Sequence, residues 1–137
     1  AAEEIHRLRM RMELELGREQ EDRLNLKVGR GGVVDVEFAA QYLQLQHGPR
    51  IPAVRSRSTL KALYELMRAG KISVEDFQTL DKGYRFLRAL EVRLRLSHDA
   101  SIEQFDPRGF DAEVMDRYRK ETEGIRKVYL KVLGLPA

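Results

Sequence analysis

The residues with most chemistry to offer lie in one stretch, Leu26-Lys27-Val28-Gly29-Arg30-Gly31-Gly32-Val33-Val34-Asp35-Val36-Glu37-Phe38. Three glycines directly before a helical pattern let the backbone approach a ligand closely, and the first N–H groups of a helix, with its dipole, favour an anion. Lys27 and Arg30 add positive charge. The stretch is not a P-loop, because no Gly-Lys-Ser/Thr follows. It also departs from the dinucleotide fingerprint, because Val34 stands where the third glycine belongs and no strand leads in. A phosphate site and a plain glycine-rich turn feeding a buried helix both stay open.

Asp35 and Glu37 follow at once. Two residues apart on a helix they point about 200° from each other, so they cannot chelate one metal together as they could on a strand. Asp35, in the first turn, suits the helix dipole. Glu37 lies in an apolar stretch and needs a partner, so its removal is expected to cost about 3 kcal/mol if a buried cation is left unpaired. Further on, Arg88, Glu91 and Arg95 share one helix face at i, i+3 and i+7. They form either an intrahelical salt-bridge row or a face turned to the glycine loop, with Glu91 holding Lys27 or Arg30. His98-Asp99 echoes metal-dependent phosphohydrolases, but with only His6, His47 and His98 in the chain no metal site is expected.

These groups need elements to position them. Ile5, Leu8, Met12 and Leu16 recur at helical spacing and predict one amphipathic helix over residues 3–16. Residues 17–32 lose the period and read as an irregular, polar connection, long for a helical bundle. The pattern returns from Val33 to His47, with Val34, Phe38, Tyr42 and Leu45 on one face, and Gly48-Pro49 stops it. Ser58 or Thr59 caps a short helix carrying Leu60, Leu63, Leu66 and Met67, ended by Gly70. Ser73 with Asp76 opens a long helix through Phe77, Leu80, Tyr84, Leu87, Leu90 and Leu94. After Pro107 and Gly109, a last helix spans about 111–133 and ends at Gly134. No segment alternates in the strand period, so the expected fold is an all-α bundle of about five helices in a single domain, 1–137.

Composition agrees with that reading and narrows the function. The chain has 137 residues, 42% apolar and 34% charged, with a formal charge of +3, which suits one soluble domain with one core. It has no cysteine, so disulfides, thiol catalysis and cysteine metal sites are excluded. No apolar run reaches the ~18 residues of a membrane span. Residues 49–72 carry six cations against Glu65 alone, but without interleaved aromatics, so nucleic acid is not the expected partner. The opening Ala1-Ala2-Glu3-Glu4 lacks a methionine and already reads as helix, so the chain is expected to be part of a longer polypeptide.

Lys27-x-Gly29-x-Gly31-Gly32-x-x-Asp35-x-Glu37-Phe38-x-x-Gln41, followed by Tyr84-x-x-Leu87-Arg88-x-x-Glu91-x-x-Leu94, resembles the helical domain of glutamine synthetase adenylyltransferases. A sibling domain occurs in PII uridylyltransferases. The resemblance spans roughly residues 5–133 and is most specific in the first motif. It implies a large bacterial cytoplasmic enzyme with two nucleotidyltransferase units, each followed by such a bundle. One unit moves AMP from ATP to a tyrosine of glutamine synthetase and the other removes it, under control of PII. Val34-Asp35 and the ending Leu133-Gly134-Leu135-Pro136-Ala137 resemble the second copy, whereas Arg55-Ser56-Arg57-Ser58 resembles the first. The metal-binding Asp-x-Asp of that superfamily sits in a separate α/β domain, so no catalytic or metal-ligating residue is expected in this chain. ATP and magnesium belong to the full-length enzyme. The resemblance implies nucleotide-facing roles for Lys27, Gly29, Arg30, Gly31 and Gly32, supported by Asp35, Glu37, Arg88 and Glu91. Docking of glutamine synthetase or PII without nucleotide contact is one alternative, and the equivalent domain of a PII uridylyltransferase is the other.

Overall fold

The 3.6-residue spacing of apolar side chains is realised as five α-helices. The computed structural model describes residues 2–20, 23–98 and 104–136. In chain order the helices are α1 (Ala2–Met12), α2 (Val33–His47), α3 (Thr59–Arg68), α4 (Val74–His98) and α5 (Ala112–Leu133). The all-α expectation holds, and the capping residues read from sequence do their work. The Ser58 hydroxyl accepts from the Lys61 N–H, Ser73 from Asp76, and Asp111 from Val114. Gly70 and Gly134 end α3 and α5 in the left-handed conformation that glycine adopts without a Cβ penalty.

The core lies where α2, α4 and α5 meet. Val36, Ala40 and Leu43 of α2 pack with Leu80, Leu87 and Leu90 of α4 and Ile125, Tyr129 and Leu133 of α5. α3 adds Leu63 and Leu66, and Val54 closes that side. The connection into α3 is tied back to α2 by Gln44, whose amide donates to the carbonyls of Val54 and Ser56 at 2.8 and 2.7 Å. Arg55, counted in sequence among the basic residues of 49–72, instead donates to the carbonyl of Gly48 at the end of α2, at 2.6 Å.

Three expectations are corrected here. The first helix does not run as one α-helix through residue 16: it passes at Glu13–Gly17 into a single π turn, closed by Arg18 with φ +46°. Its buried face is also different, since Leu8 is 53% and Leu16 59% exposed while Arg9 is fully buried. A charged partner inside the bundle draws Arg9 in, and the apolar spacing could not signal that. Second, residues 17–32 contain a short strand. Leu24–Asn25 (β1) pairs antiparallel with Gln104–Phe105 (β2), Leu24 opposite Phe105, a ladder too short to show the strand period. Third, the connection read as polar is largely folded into the protein, because Asn25, Leu26, Val28, Gly29, Gly31 and Gly32 are all buried.

Candidate functional site

The glycine segment is built from Asn25 forward. The Asn25 side-chain carbonyl accepts from the N–H groups of Lys27 and Val28 at 3.0 and 2.9 Å, a local Asx turn. Its backbone carbonyl accepts from Gly29. The Glu19 carboxylate spans the turn, taking the Asn25 N–H on one oxygen and the Arg30 N–H on the other, both at 3.0 Å. Gly31 donates to Asp35 Oδ2 at 2.8 Å, Gly32 to the Gly29 carbonyl, and Val33, Val34 and Asp35 to the carbonyls of Leu26, Lys27 and Gly32. Every backbone N–H from Lys27 to Asp35 is therefore committed inside the chain. The geometry of a helix-terminus anion site needs such donors open. What the segment can present to an anion is the side chains of Lys27 and Arg30.

The glycines bring the segment close to its own protein. Gly31 has φ +72°, and a Cβ there would run into the carbonyl of Thr122 on α5. At Gly32 a Cβ would meet the carbonyl oxygens of Leu26 and Lys27, each at 2.7 Å. A bulky residue at Gly32 would consequently break the loop itself and could not probe ligand approach separately from folding.

Asp35 is the hub. It is fully buried, receives Arg9 Nε on Oδ1 at 2.5 Å and the Gly31 N–H on Oδ2, and lies 3.2 Å from Arg126 Nε. Arg9 also donates to the carbonyl of Gly29 at 2.7 Å, and Arg126 pairs with Glu13 of the π turn. Next to them, His6 Nδ1 lies 3.0 Å from the Tyr129 hydroxyl. Burial and then the Arg126 guanidinium lower the His6 pKa from its usual value. Thus one carboxylate ties α1, the glycine segment, α2 and α5 together, well beyond the helix-dipole role expected of it. Arg9, Arg126 and Glu19 were missed by sequence reasoning. Arg9 alternates with Arg7 and Arg11 on α1, so nothing local singles it out or names its partner 26 residues on.

Glu37 points the other way, as the helix spacing requires, to a second set of charges. It is 29% exposed, and its nearest cation is Arg88 of α4, 3.7 Å away and itself 41% exposed. The expectation of a carboxylate opposite a buried cation is corrected accordingly. Arg88 donates to Glu91 at 3.1 Å and to the Tyr84 hydroxyl at 3.1 Å, and Arg95 donates to Glu91 at 3.2 Å. The row is thus an intrahelical network joined to α2 through Glu37. Glu91 is shared by Arg88 and Arg95, whereas Arg30 pairs with Glu123 of α5 at 2.9 Å. The structure gathers the sequence-picked residues into two groups: Gly29, Gly31, Gly32 and Asp35 in the locked segment, Glu37, Arg88 and Glu91 on the α2/α4 surface. Asp99 lies outside the described residues, and among those described no group of three or more His, Asp or Glu could hold a metal ion. No described helix is long and apolar enough to cross a membrane.

Fold and site define an all-α domain organised around a charge-locked glycine segment. The family model described as GlnD PII-uridylyltransferase matches residues 4–119, and the chain belongs to that family. The chain is similar to the bifunctional glutamine synthetase adenylyltransferase/adenylyl-removing enzyme of Xanthomonas axonopodis pv. citri, 45% identical over 93 residues, which are 67% of this chain and 10% of that protein. The protein of the same name from Corynebacterium efficiens is 46% identical over 94 residues, 69% of this chain and 9% of the relative. That from Corynebacterium glutamicum is 51% identical over 71 residues, 52% and 7%. The chain spans about a tenth of the length of the first two of these relatives.

Proposed function

We propose that this chain is the helical companion domain of a cytoplasmic bifunctional glutamine synthetase adenylyltransferase/adenylyl-removing enzyme. The observation that carries the reading is its similarity to proteins of that name, of which it would form one tenth. In the full-length enzyme an adjacent nucleotidyltransferase domain binds ATP and magnesium and moves AMP to or from glutamine synthetase, with PII as the regulatory partner. Metal ions in such chemistry need converging carboxylates, and Asp35 and Glu37 diverge. The companion's part is to complete one wall of the nucleotide cleft. Lys27 and Arg30 supply cationic side chains there, the glycines and Asp35 form the rigid mount, and Glu37, Arg88 and Glu91 brace the face toward the neighbouring domain.

The test compares this 137-residue chain with the full-length enzyme, using labelled ATP, magnesium and glutamine synthetase. The expected result is label transfer by the full-length enzyme alone, falling about tenfold or more in Lys27→Ala and Arg30→Ala variants that melt as the parent does. Stoichiometric labelling by the chain alone, or unchanged transfer in both variants, would overturn the reading.

A further inference from the structure

A cleft of about 490 Å³ lies between Glu19, Gln20, Leu24 and Arg30 on one side and the face of α5 that carries Tyr118, Arg119 and Glu123 on the other. Its size falls in the ~300–1,000 Å³ range of small-molecule sites. Tyr118 is 3% exposed, and its hydroxyl has no hydrogen-bond partner. The ring packs edge-on against Phe105, centroids 5.2 Å apart, which holds the hydroxyl in place on the cleft wall. Burial, and then the Glu19 charge, raise the Tyr118 pKa, which keeps the hydroxyl a donor. The Arg119 guanidinium on the same wall makes no ion pair among the described residues. Gln20 links this cleft to a smaller hollow beside Arg23, whose buried Nε also lacks an acceptor.

The acceptors in the same place are spent. Both oxygens of Glu19 take backbone N–H groups, Glu123 is engaged by Arg30, and Asp106 is engaged by Arg108 through both oxygens. The described lining therefore offers one buried unmet donor, the Tyr118 hydroxyl, beside the exposed guanidiniums of Arg119 and Arg30, and no carboxylate without a partner. A buried donor without an acceptor costs roughly 1–3 kcal/mol, which a ligand supplying the acceptor would recover. We infer that this cleft binds the oxyanion group of a small molecule, a phosphate or a carboxylate, through the Tyr118 hydroxyl and the Arg119 and Arg30 guanidiniums. Arginine's planar fork suits either group. The inference concerns binding only and does not depend on the nucleotidyl-transfer reading.

The experiment is an NMR titration of the chain with inorganic phosphate, observing backbone amides and arginine Nε–H groups. Saturable shifts are expected at Arg30, Arg119 and the backbone around Tyr118. Tyr118→Phe and Arg119→Ala should each weaken binding about tenfold, the loss of one charge-assisted hydrogen bond, while Arg68→Ala on α3 should bind as the parent does. Tyr118→Phe should also melt no lower than the parent, because the hydroxyl it removes has no partner to lose. Parallel titrations with ATP and with acetate identify the source: competition by ATP makes it a nucleotide phosphate, and competition by acetate at equal concentration makes it a carboxylate. Shifts scattered over exposed lysines, or binding unchanged in Tyr118→Phe, would overturn the inference. AMP transfer by the full-length enzyme is a separate readout, so failure here leaves the proposed function standing.

Discussion

Asp35 and Glu37 are the same kind of group two residues apart on α2, yet they have opposite surroundings. Asp35 is fully buried between two guanidiniums and a backbone N–H, while Glu37 shares partly exposed Arg88 across to α4. In the interior the desolvation of three charges has already been incurred, so removing one leaves the others uncompensated. At the surface, water replaces whatever is removed. Proximity in sequence thus says little about energetic weight. The direction in which each Cβ leaves the helix decides it.

The largest effect expected follows directly. Asp35→Ala should destabilise the fold by about 3–5 kcal/mol, because Arg9 and Arg126 would stay buried without their carboxylate. Chemical denaturation measures this, and a loss comparable to that of Glu37→Ala would erase the contrast. Gly31→Ala should come next, at about 1–3 kcal/mol, from the positive φ and the approach to the Thr122 carbonyl. The same denaturation series checks it, and a change within experimental error would mean that the segment can move away from α5. Glu37→Ala should cost at most about 1 kcal/mol, and a double-mutant cycle with Arg88→Ala should return a coupling of roughly 0.2–1 kcal/mol that fades with salt.

The smallest effect expected is a pH dependence confined to the interior region. The folded-state pKa of His6 is lowered, so the folded protein resists its protonation and the unfolded chain binds the proton more readily. The stability contributed by neutral His6 is present above its unfolded pKa of about 6.5 and is lost as pH falls toward the lower folded value. Melting temperatures compared at pH 7 and pH 5 should fall further for the parent than for His6→Asn. Equal falls would detach His6 from the Arg126 cluster.

Much of this was legible in local sequence. Ser58, Ser73 and Asp111 mark helix starts and Gly70 and Gly134 mark ends, because caps satisfy orphan backbone groups within one turn. The Arg88, Glu91 and Arg95 row was legible too, since i, i+3 and i+4 neighbours meet on any helix. The role of Arg9 was not. Leu8 and Leu16 fit the apolar period and yet face outward, while an arginine between them turns inward, because its partner lies on another helix. The glycine segment misled in the same way. Three glycines before a helix signal close backbone approach, but they do not say whether the approaching group is a ligand or, as at Gly31, the carbonyl of Thr122.

By itself the sequence determined the helix count, the helix starts from α2 onward, the divergence of Asp35 from Glu37 and the family resemblance carried by the glycine motif. These depend on periodicity and capping, which act over a few residues. Only the tertiary structure decided that Asp35 joins Arg9 and Arg126, that the loop's N–H groups are consumed internally, and that Tyr118 keeps an unmet hydroxyl beside Arg119. Each of these brings together groups from segments far apart in the chain. Which buried polar group meets which is fixed by how the helices pack, and no local spacing encodes it.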